Sequence, residues 1–494
     1  MPANPNLYEI NTAVWLYALS EKYGKRMTIG QVPVSEWDRL KDSGFHFIWL
    51  MGVWKRCLSD REYFLADPRN VELCNTVLPG WTEQDIIGSP YAVAGYEPDP
   101  HVGNWEEIDR VRRELHARDM RLILDFVPNH TGIEHPWALT HPDYFMQADE
   151  KEFKGNQWDY YPVSHDKKTL YLANGRDPYF PPWTDTLQLN YFNPLTREAM
   201  IGELKNMSGH CDGFRCDMAM LVLNNIFRQT WGRLLNEKQF PSPEGEFWSA
   251  ARKAVPDSIL IAEAYWDTEW ELQQLGFDYT YDKRLYDRLT SFSPGEIYLH
   301  LRADAGFQNR LVRFIENHDE KRSAEIFGMQ RLEAPATLFA TLPGMKLYHH
   351  GQMEGKRIRV PVQMRRVMHE EPDMDTSRMY EKILTITGQA IFREGEWKLR
   401  EVFPMTDAAS IDIIAYTWKA GQRIKLVAVN MSPASSVGRI PLPDIMPGDR
   451  SYKVNDELHA QLYLRNGSDM IYPGLIVVLG PFSAHIFDIS PSEQ

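Results

Sequence analysis

Arg215 and Asp217 stand two residues apart in the segment Gly213-Phe214-Arg215-Cys216-Asp217. The segment reads as a short buried strand. Side chains alternate along a strand, so the cation and the carboxylate project on the same side. An Arg beside an Asp lowers its pKa and favours the ionised form, which is what a carboxylate nucleophile needs at neutral pH. Two other apolar segments also end in acids. One runs from Ser258 to Glu263, the other from Leu311 to Asp319 through Glu316-Asn317-His318. Glycoside hydrolysis needs two carboxyl groups flanking one bond, one as nucleophile or base and one as acid. The acid must hold its proton. Glu263 lies among Ile261, Ala262, Ala264, Tyr265 and Trp266, an apolar surround that raises a carboxyl pKa by desolvation. Asp319, preceded by His318, can hydrogen-bond sugar hydroxyls. His130, after Asp125-Phe126-Val127-Pro128-Asn129, is a further candidate to read a hydroxyl. Taken singly, each acid could be a solvated strand end or a salt-bridge partner. Three acids, each closing an apolar strand, point to a site.

The elements that would position them alternate. Strands are expected at Ala13–Tyr17, Phe45–Leu50, Arg121–Val127, the Asp217 segment, the Glu263 segment, Phe277–Thr280, the Asp319 segment and Met345–His349. Helical spacing fills Val34–Asp42, Trp105–Arg118, Leu195–Gly209, Leu221–Asn236, Pro243–Val255, Lys283–Thr290, Pro294–Ala303 and Thr376–Phe392. Such alternation implies parallel pairing and right-handed crossovers. Eight strand–helix units imply a closed (β/α)8 TIM barrel, with charged strand ends gathered at its C-terminal face. Residues 131–193 break the rhythm with Pro, Gly, Asp and aromatics, and so long an interruption reads as an inserted domain. Beyond residue 400, short apolar strands alternate with Gly, Pro, Ser and Asn, as in an antiparallel β-sandwich. The expected division is therefore a barrel over 1–130 and 194–400, an insertion over 131–193 and a sandwich over 401–494.

With 494 residues the chain exceeds one core. A formal net charge of −14 argues against nucleic acid or an anionic membrane surface as partner. No apolar run is long enough to span a bilayer. Cys57, Cys74, Cys211 and Cys216 form no CxxC pair, so no zinc site is expected from them. The N-terminus lacks a basic region followed by an apolar stretch, and a cytoplasmic enzyme with reduced thiols is expected. Fifteen Trp, 23 Tyr and 22 Phe supply flat apolar faces suited to sugar rings as well as to cores.

Four separated motifs resemble glycoside hydrolase family 13, the α-amylase family. They are Asp125-Phe-Val-Pro-Asn129-His130, Gly213-Phe-Arg215-Cys-Asp217, Ile261-Ala-Glu263-Ala and Phe314-Ile-Glu-Asn-His318-Asp319. A fifth, Leu187-Gln-Leu-Asn190-Tyr-Phe-Asn193-Pro194, is similar to the family's segment near the end of its inserted domain. The resemblance implies a retaining double displacement on α-glucosidic bonds. Asp217 would be the nucleophile, Glu263 the general acid/base and Asp319 the transition-state stabiliser. Arg215 would hold Asp217, and His130 and His318 would bind sugar hydroxyls. Tyr91 occupies the place of the stacking aromatic under that sugar, and Arg322 that of an Arg often found after the fourth motif. Trp266, with Tyr265, could line an acceptor subsite or simply pack. The chain departs from the family after the nucleophile, where Met218-Ala219-Met220-Leu221 replaces a Lys-His pair. That pair contributes to leaving-group binding and to a structural calcium. Asn129 resembles a calcium ligand, but alone it makes no site. No cofactor is expected.

The implied substrates are malto-oligosaccharides or related α-glucans, hydrolysed or transferred through a covalent glycosyl-enzyme. A sucrose- or small-α-glucoside-active transglycosylase or phosphorylase would use the same three acids. A non-catalytic α-glucan-binding protein would usually have lost one of them.

Overall fold

The structure is a computed structural model and describes residues 3–405, 412–444 and 450–492. Eight strands form its centre: β1 (Asn6–Asn11), β2 (Phe47–Met51), β3 (Arg121–Phe126), β4 (Gly213–Cys216), β5 (Ile259–Ala262), β6 (Tyr279–Tyr281), β7 (Leu311–Arg313) and β8 (Met345–His349). Each pairs with its sequence neighbours, and β8 returns to β1, closing a barrel. Period-two alternation makes the two sides. Leu7, Phe47, Trp49, Ile123, Ile261, Val312 and Leu347 pack with one another in one cluster. The residues between them, such as Tyr8, Ile48, Leu50, Leu122, Leu260 and Tyr348, pack in another that includes the helices. Phe214 joins the helix-facing set, so its neighbour Arg215 projects into the barrel.

The first strand differs from expectation. Ala13–Tyr17 lies inside a helix, Thr12–Tyr23, and the strand precedes it. The Asn11 side chain caps that helix by accepting from Val14 N–H, and Gly24 ends it with φ 62°. A short apolar run has no period of its own, and here Trp15, Leu16 and Leu19 are the buried face of a helix. The other expected helices and most strands appear with ends shifted by a few residues. The expected strand Leu311–Asp319 is only Leu311–Arg313 and leaves Asp319 in the loop after it, and the long helix over Thr376–Phe392 is two, Met374–Thr387 and Ile391–Glu394.

Between β3 and β4 lie a three-stranded antiparallel sheet of Gln147–Ala148, Lys168–Ala173 and Tyr160–His165, and a pair of strands, His130–Gly132 with Thr186–Gln188. That pair brings the segment after β3 back against the barrel mouth. The C-terminal part is a β-sandwich. A six-stranded sheet faces the three-stranded sheet of Phe403–Pro404, Ser436–Ile440 and Leu475–Leu479. Ala415, Leu426 and Ala428 pack against Ile440, Val477 and Leu479 between them. The larger sheet starts before residue 401, because Glu396–Arg400 pairs with Ile413–Ala420. This strand alternates charged residues with Trp397 and Leu399, so it lacks the apolar run that marked its neighbours. A strand is expected from the sequence over Ile411–Trp418, and its first position lies outside the described residues. The sandwich rests on the barrel through Trp418, whose Nε1 donates to the Thr341 carbonyl at 2.8 Å.

Gly213 opens the strand that delivers Arg215. A Cβ there would lie 2.4 Å from the Ile259 carbonyl oxygen of β5. Gly213→Ala is expected to force β4 and β5 apart and to cost roughly 1–3 kcal/mol. Urea denaturation reads this directly, and an unchanged midpoint would show that the strands have slack at this point.

Candidate active site

The three acids follow β4, β5 and β7 and converge where the barrel opens. Asp217 N–H donates to the Phe126 carbonyl at 2.8 Å and Glu263 N–H to the Cys216 carbonyl at 3.0 Å, so both acids extend the strand ladder by one residue. Arg215 pairs in register with Asp125 and Ile261 on either side. Its guanidinium is fully buried, with Nη1 2.7 Å from Asp217 Oδ1 and Nη2 2.9 Å from Glu263 Oε2. One cation therefore spans both carboxylates. The rings of Trp49, Tyr91 and Tyr281 surround it at 5.2, 5.4 and 5.6 Å, a desolvated setting in which cation–π attraction is strongest.

Glu263 is held at both oxygens. Met218 N–H donates to Oε2 at 2.6 Å and the Tyr265 hydroxyl to Oε1 at 2.8 Å. Met218 reaches that position with φ 41°, in the left-handed region that a non-glycine residue adopts at a cost. Burial pushes the Glu263 carboxyl up to about 7 against the pull of Arg215, and the charge of Asp217 adds to the rise. The apolar surround thus acts as expected. Asp217 differs. Burial raises it too, Arg215 offsets only part of that rise, and the charges of Asp319 and Asp125 add to it. Asp319 goes the other way. Burial opposes its charge, but His318 and Arg215 outweigh it and bring it down to about 2.

His318 links several parts. Its Nε2 lies 3.0 Å from Asp319 Oδ2 and 2.8 Å from the Tyr91 hydroxyl. Its Nδ1 contacts the carboxylate of Glu9 on β1. Burial disfavours its charge, yet Asp319 and Glu9 on its two nitrogens raise it well above the usual imidazole range. The Tyr91 ring stacks on the imidazole with centroids 5.3 Å apart. His130 is buried and pushed down to about 4 by desolvation, so it stays neutral; the Trp183 ring lies 5.1 Å away. Trp266 stands at φ 61° and meets Tyr179 edge-on at 4.9 Å. Tyr179 and Phe180 are exposed beside it.

Arg322 turns inward. Its Nη1 donates to Glu316 at 2.7 Å and contacts His349, and its Nη2 donates to the His350 carbonyl at 2.9 Å. It braces the loop after β7 against the end of β8. It makes no surface salt bridge.

Asn129 does not fit a calcium site. Its Oδ1 accepts from Gln188 Nε2 at 2.9 Å and its Nδ2 donates to Gln188 Oε1 at 3.2 Å. This reciprocal amide pair uses the side chain to join the segment after β3 to the strand Thr186–Gln188. Calcium takes six to eight oxygens, and both amide oxygens of this pair are already engaged by each other's NH2 groups.

Glu9, Tyr281 and Tyr265 were not read as holding the site together. Glu9 carries a signal: a fully buried acid inside an apolar strand. Placing the first strand too late hid it. The Tyr265 hydroxyl bond depends on a turn after β5 that residue types do not announce.

Residues 34–397 match the family profile described as Alpha amylase, catalytic domain. Among curated proteins, Alpha-amylase 3 of Dictyoglomus thermophilum is 25% identical over 294 residues, covering 53% of this chain and 53% of that protein. Maltase A1 of Drosophila melanogaster is 23% identical over 385 residues, covering 64% of this chain and 59% of its own. The chain spans about half the length of the curated relatives it matches. Among solved structures, a noncanonic maltogenic alpha-amylase from Thermotoga neapolitana superposes with a TM-score of 0.68 at 20% identity over 98% of each chain. That likeness shows the fold. The profile covers well over half of the sequence on the barrel that carries these acids, and on that ground the chain belongs to the alpha-amylase family.

Proposed function

We propose that this protein cleaves α-glucosidic bonds of malto-oligosaccharides or related α-glucans with retention of configuration. The observation that carries the reading is the single buried guanidinium of Arg215 set against both Asp217 and Glu263. Retention needs two carboxyl groups close together, roughly 5–5.5 Å apart, one charged and one protonated. Asp217 Oδ attacks the anomeric carbon. Glu263 gives its proton to the glycosidic oxygen as that bond breaks. Water or a sugar hydroxyl then attacks the glycosyl–Asp217 ester and returns a proton to Glu263. Asp319, low in pKa and held by His318, keeps its charge throughout and stabilises the positive charge that develops on the sugar. Tyr91, His130 and His318 take the sugar transferred, and Arg322 supports the loop that carries Asp319.

Transfer to a sugar acceptor is supported by the exposed Tyr179 and the half-buried Trp266 that it meets edge-on, on the Glu263 side. Aromatic faces there would hold an acceptor and exclude water. Among the described residues no helix is long and apolar enough to cross a membrane. The four cysteines are buried thiols that form no disulfide with one another, which supports placing the enzyme in the reducing cytoplasm.

Product analysis with maltoheptaose and, in parallel, sucrose tests the reading. Shorter maltosaccharides alone mean hydrolysis. Longer products beside them mean transfer. Turnover of sucrose alone would move the substrate to small α-glucosides, and no turnover of either would count against the proposal.

The pH profile follows from the two shifted acids. Glu263 must be protonated, so kcat/KM is expected to fall as pH rises through about 7. Asp217 must be ionised, and its raised pKa puts the acid limb above the ordinary carboxylate range. A profile still flat at pH values well above 7 would remove Glu263 as the acid.

A further inference from the structure

Far from the three acids, the C-terminal sheet gathers Asp456, His459 and His485, with one potential ligand atom from each lying within 4.8 Å of the others. We propose that these residues form a binding site for a zinc-class divalent metal ion, one that fastens the sandwich to the barrel.

Each ligand comes from a different place in the backbone. Asp456 ends the strand Ser451–Asp456, His459 sits in the turn after it and His485 lies on Ala484–Pro491. Asp456 is fully buried. Its Oδ1 accepts from Leu458 N–H at 3.1 Å and Ile486 N–H at 3.4 Å. Its Oδ2 is left facing both rings, 2.9 Å from His459 Nδ1 and 2.7 Å from His485 Nδ1.

The far nitrogens decide what lies between. His485 Nε2 is 3.1 Å from the Val478 carbonyl. A carbonyl only accepts, so Nε2 carries the proton. His459 Nε2 faces the Glu333 carboxylate at 3.5 Å, which calls for a proton there as well. The Nδ1 atoms of both rings converge on the one carboxylate oxygen, Asp456 Oδ2. A metal ion bound there would take these three atoms as its ligands and displace any proton held between them. The outer partners are those that metal-bound histidines use, a backbone carbonyl on one ring and a carboxylate on the other. Two imidazoles and a carboxylate without thiolate suit zinc and not calcium or magnesium. Zinc bonds of roughly 2.0–2.2 Å require only a small opening of the cluster. His459 is about a third exposed, leaving room for a water as the fourth ligand.

The site would also explain why Glu333 starts the helix Glu333–Thr341 of the barrel at this spot. Its Oε1 accepts from Ala484 N–H at 3.0 Å, next to His485. The metal would thus tie a barrel helix to the sandwich through His459 and Glu333.

Untagged protein, stripped with a chelator, should bind Zn2+ at one ion per chain in calorimetry, and its melting temperature should rise on binding. Co2+ should give the visible bands of a tetrahedral ion in the unmodified chain. His485→Gln and His459→Gln should each abolish the stoichiometric site, and Glu333→Gln should weaken it by about 10–100-fold. Asp217→Asn should bind zinc as the unmodified protein does. No saturable binding and no cobalt bands in the unmodified protein would overturn the proposal, with the histidines then acting as a protonated ion-pair cluster. Stoichiometric binding unaltered in folded His485→Gln would overturn it equally.

Discussion

Asp217→Asn is expected to abolish turnover, by roughly 10⁴-fold or more, the scale seen when one member of a catalytic set is removed. The amide cannot form the ester to the anomeric carbon, and no other acid stands where Asp217 does. Glu263 is held by Met218 N–H and Tyr265, and Asp319 by His318. The fold should survive, because Asn keeps the side-chain volume and leaves Arg215 paired with Glu263. A melting temperature within a few degrees of the unmodified protein would confirm that the loss is chemical. Substantial residual activity in a folded variant would remove Asp217 as the nucleophile.

Arg215→Leu should have the largest effect on stability. Removing one partner of a buried ion pair leaves an uncompensated charge, at a cost of about 3–5 kcal/mol, and here two carboxylates lose the same partner. Burial already raises both acids with Arg215 in place, and without it they rise further. The sign of the pH dependence follows. A carboxyl whose pKa is higher folded than unfolded stabilises most at low pH, and that stability is lost as pH rises. The deficit of Arg215→Leu should therefore be smallest near about pH 4 and grow toward neutrality. Urea denaturation across pH reads it. A deficit independent of pH would mean that the loss is one of packing and not of charge.

The barrel was legible because its strands are apolar on both sides and end in charge, a pattern that needs no tertiary information. Asp217 and Glu263 were legible for the same reason, each standing at the end of a short buried strand, whereas Asp319 follows the polar run Glu316-Asn317-His318 beyond the end of β7. Misreading Ala13–Tyr17 as a strand shows the limit. Trp15, Leu16 and Leu19 face the core of a helix, and five apolar residues cannot report the difference. That error concealed Glu9, whose carboxylate holds His318 across a sequence separation of 309 residues. Arg322 is a different case. Its residue type and place were visible, but its buried bonds to Glu316 and the His350 carbonyl depend on how the loop after β7 folds against β8. The direction of the Asp217 shift also needed the structure. The sequence shows Arg215 beside Asp217 but not how deeply that carboxyl is buried, or that Asp319 and Asp125 lie near it.

The central claim is a covalent intermediate on Asp217, and trapping it is the most direct test. A fluorinated α-glucosyl fluoride, which slows the second step more than the first, is incubated with the enzyme, and the protein is digested and analysed by mass spectrometry. The account predicts one hexosyl adduct, on the peptide that contains Asp217, together with α-configured product from unmodified substrate. No adduct, an adduct on another residue, or product released first as the β anomer would contradict it.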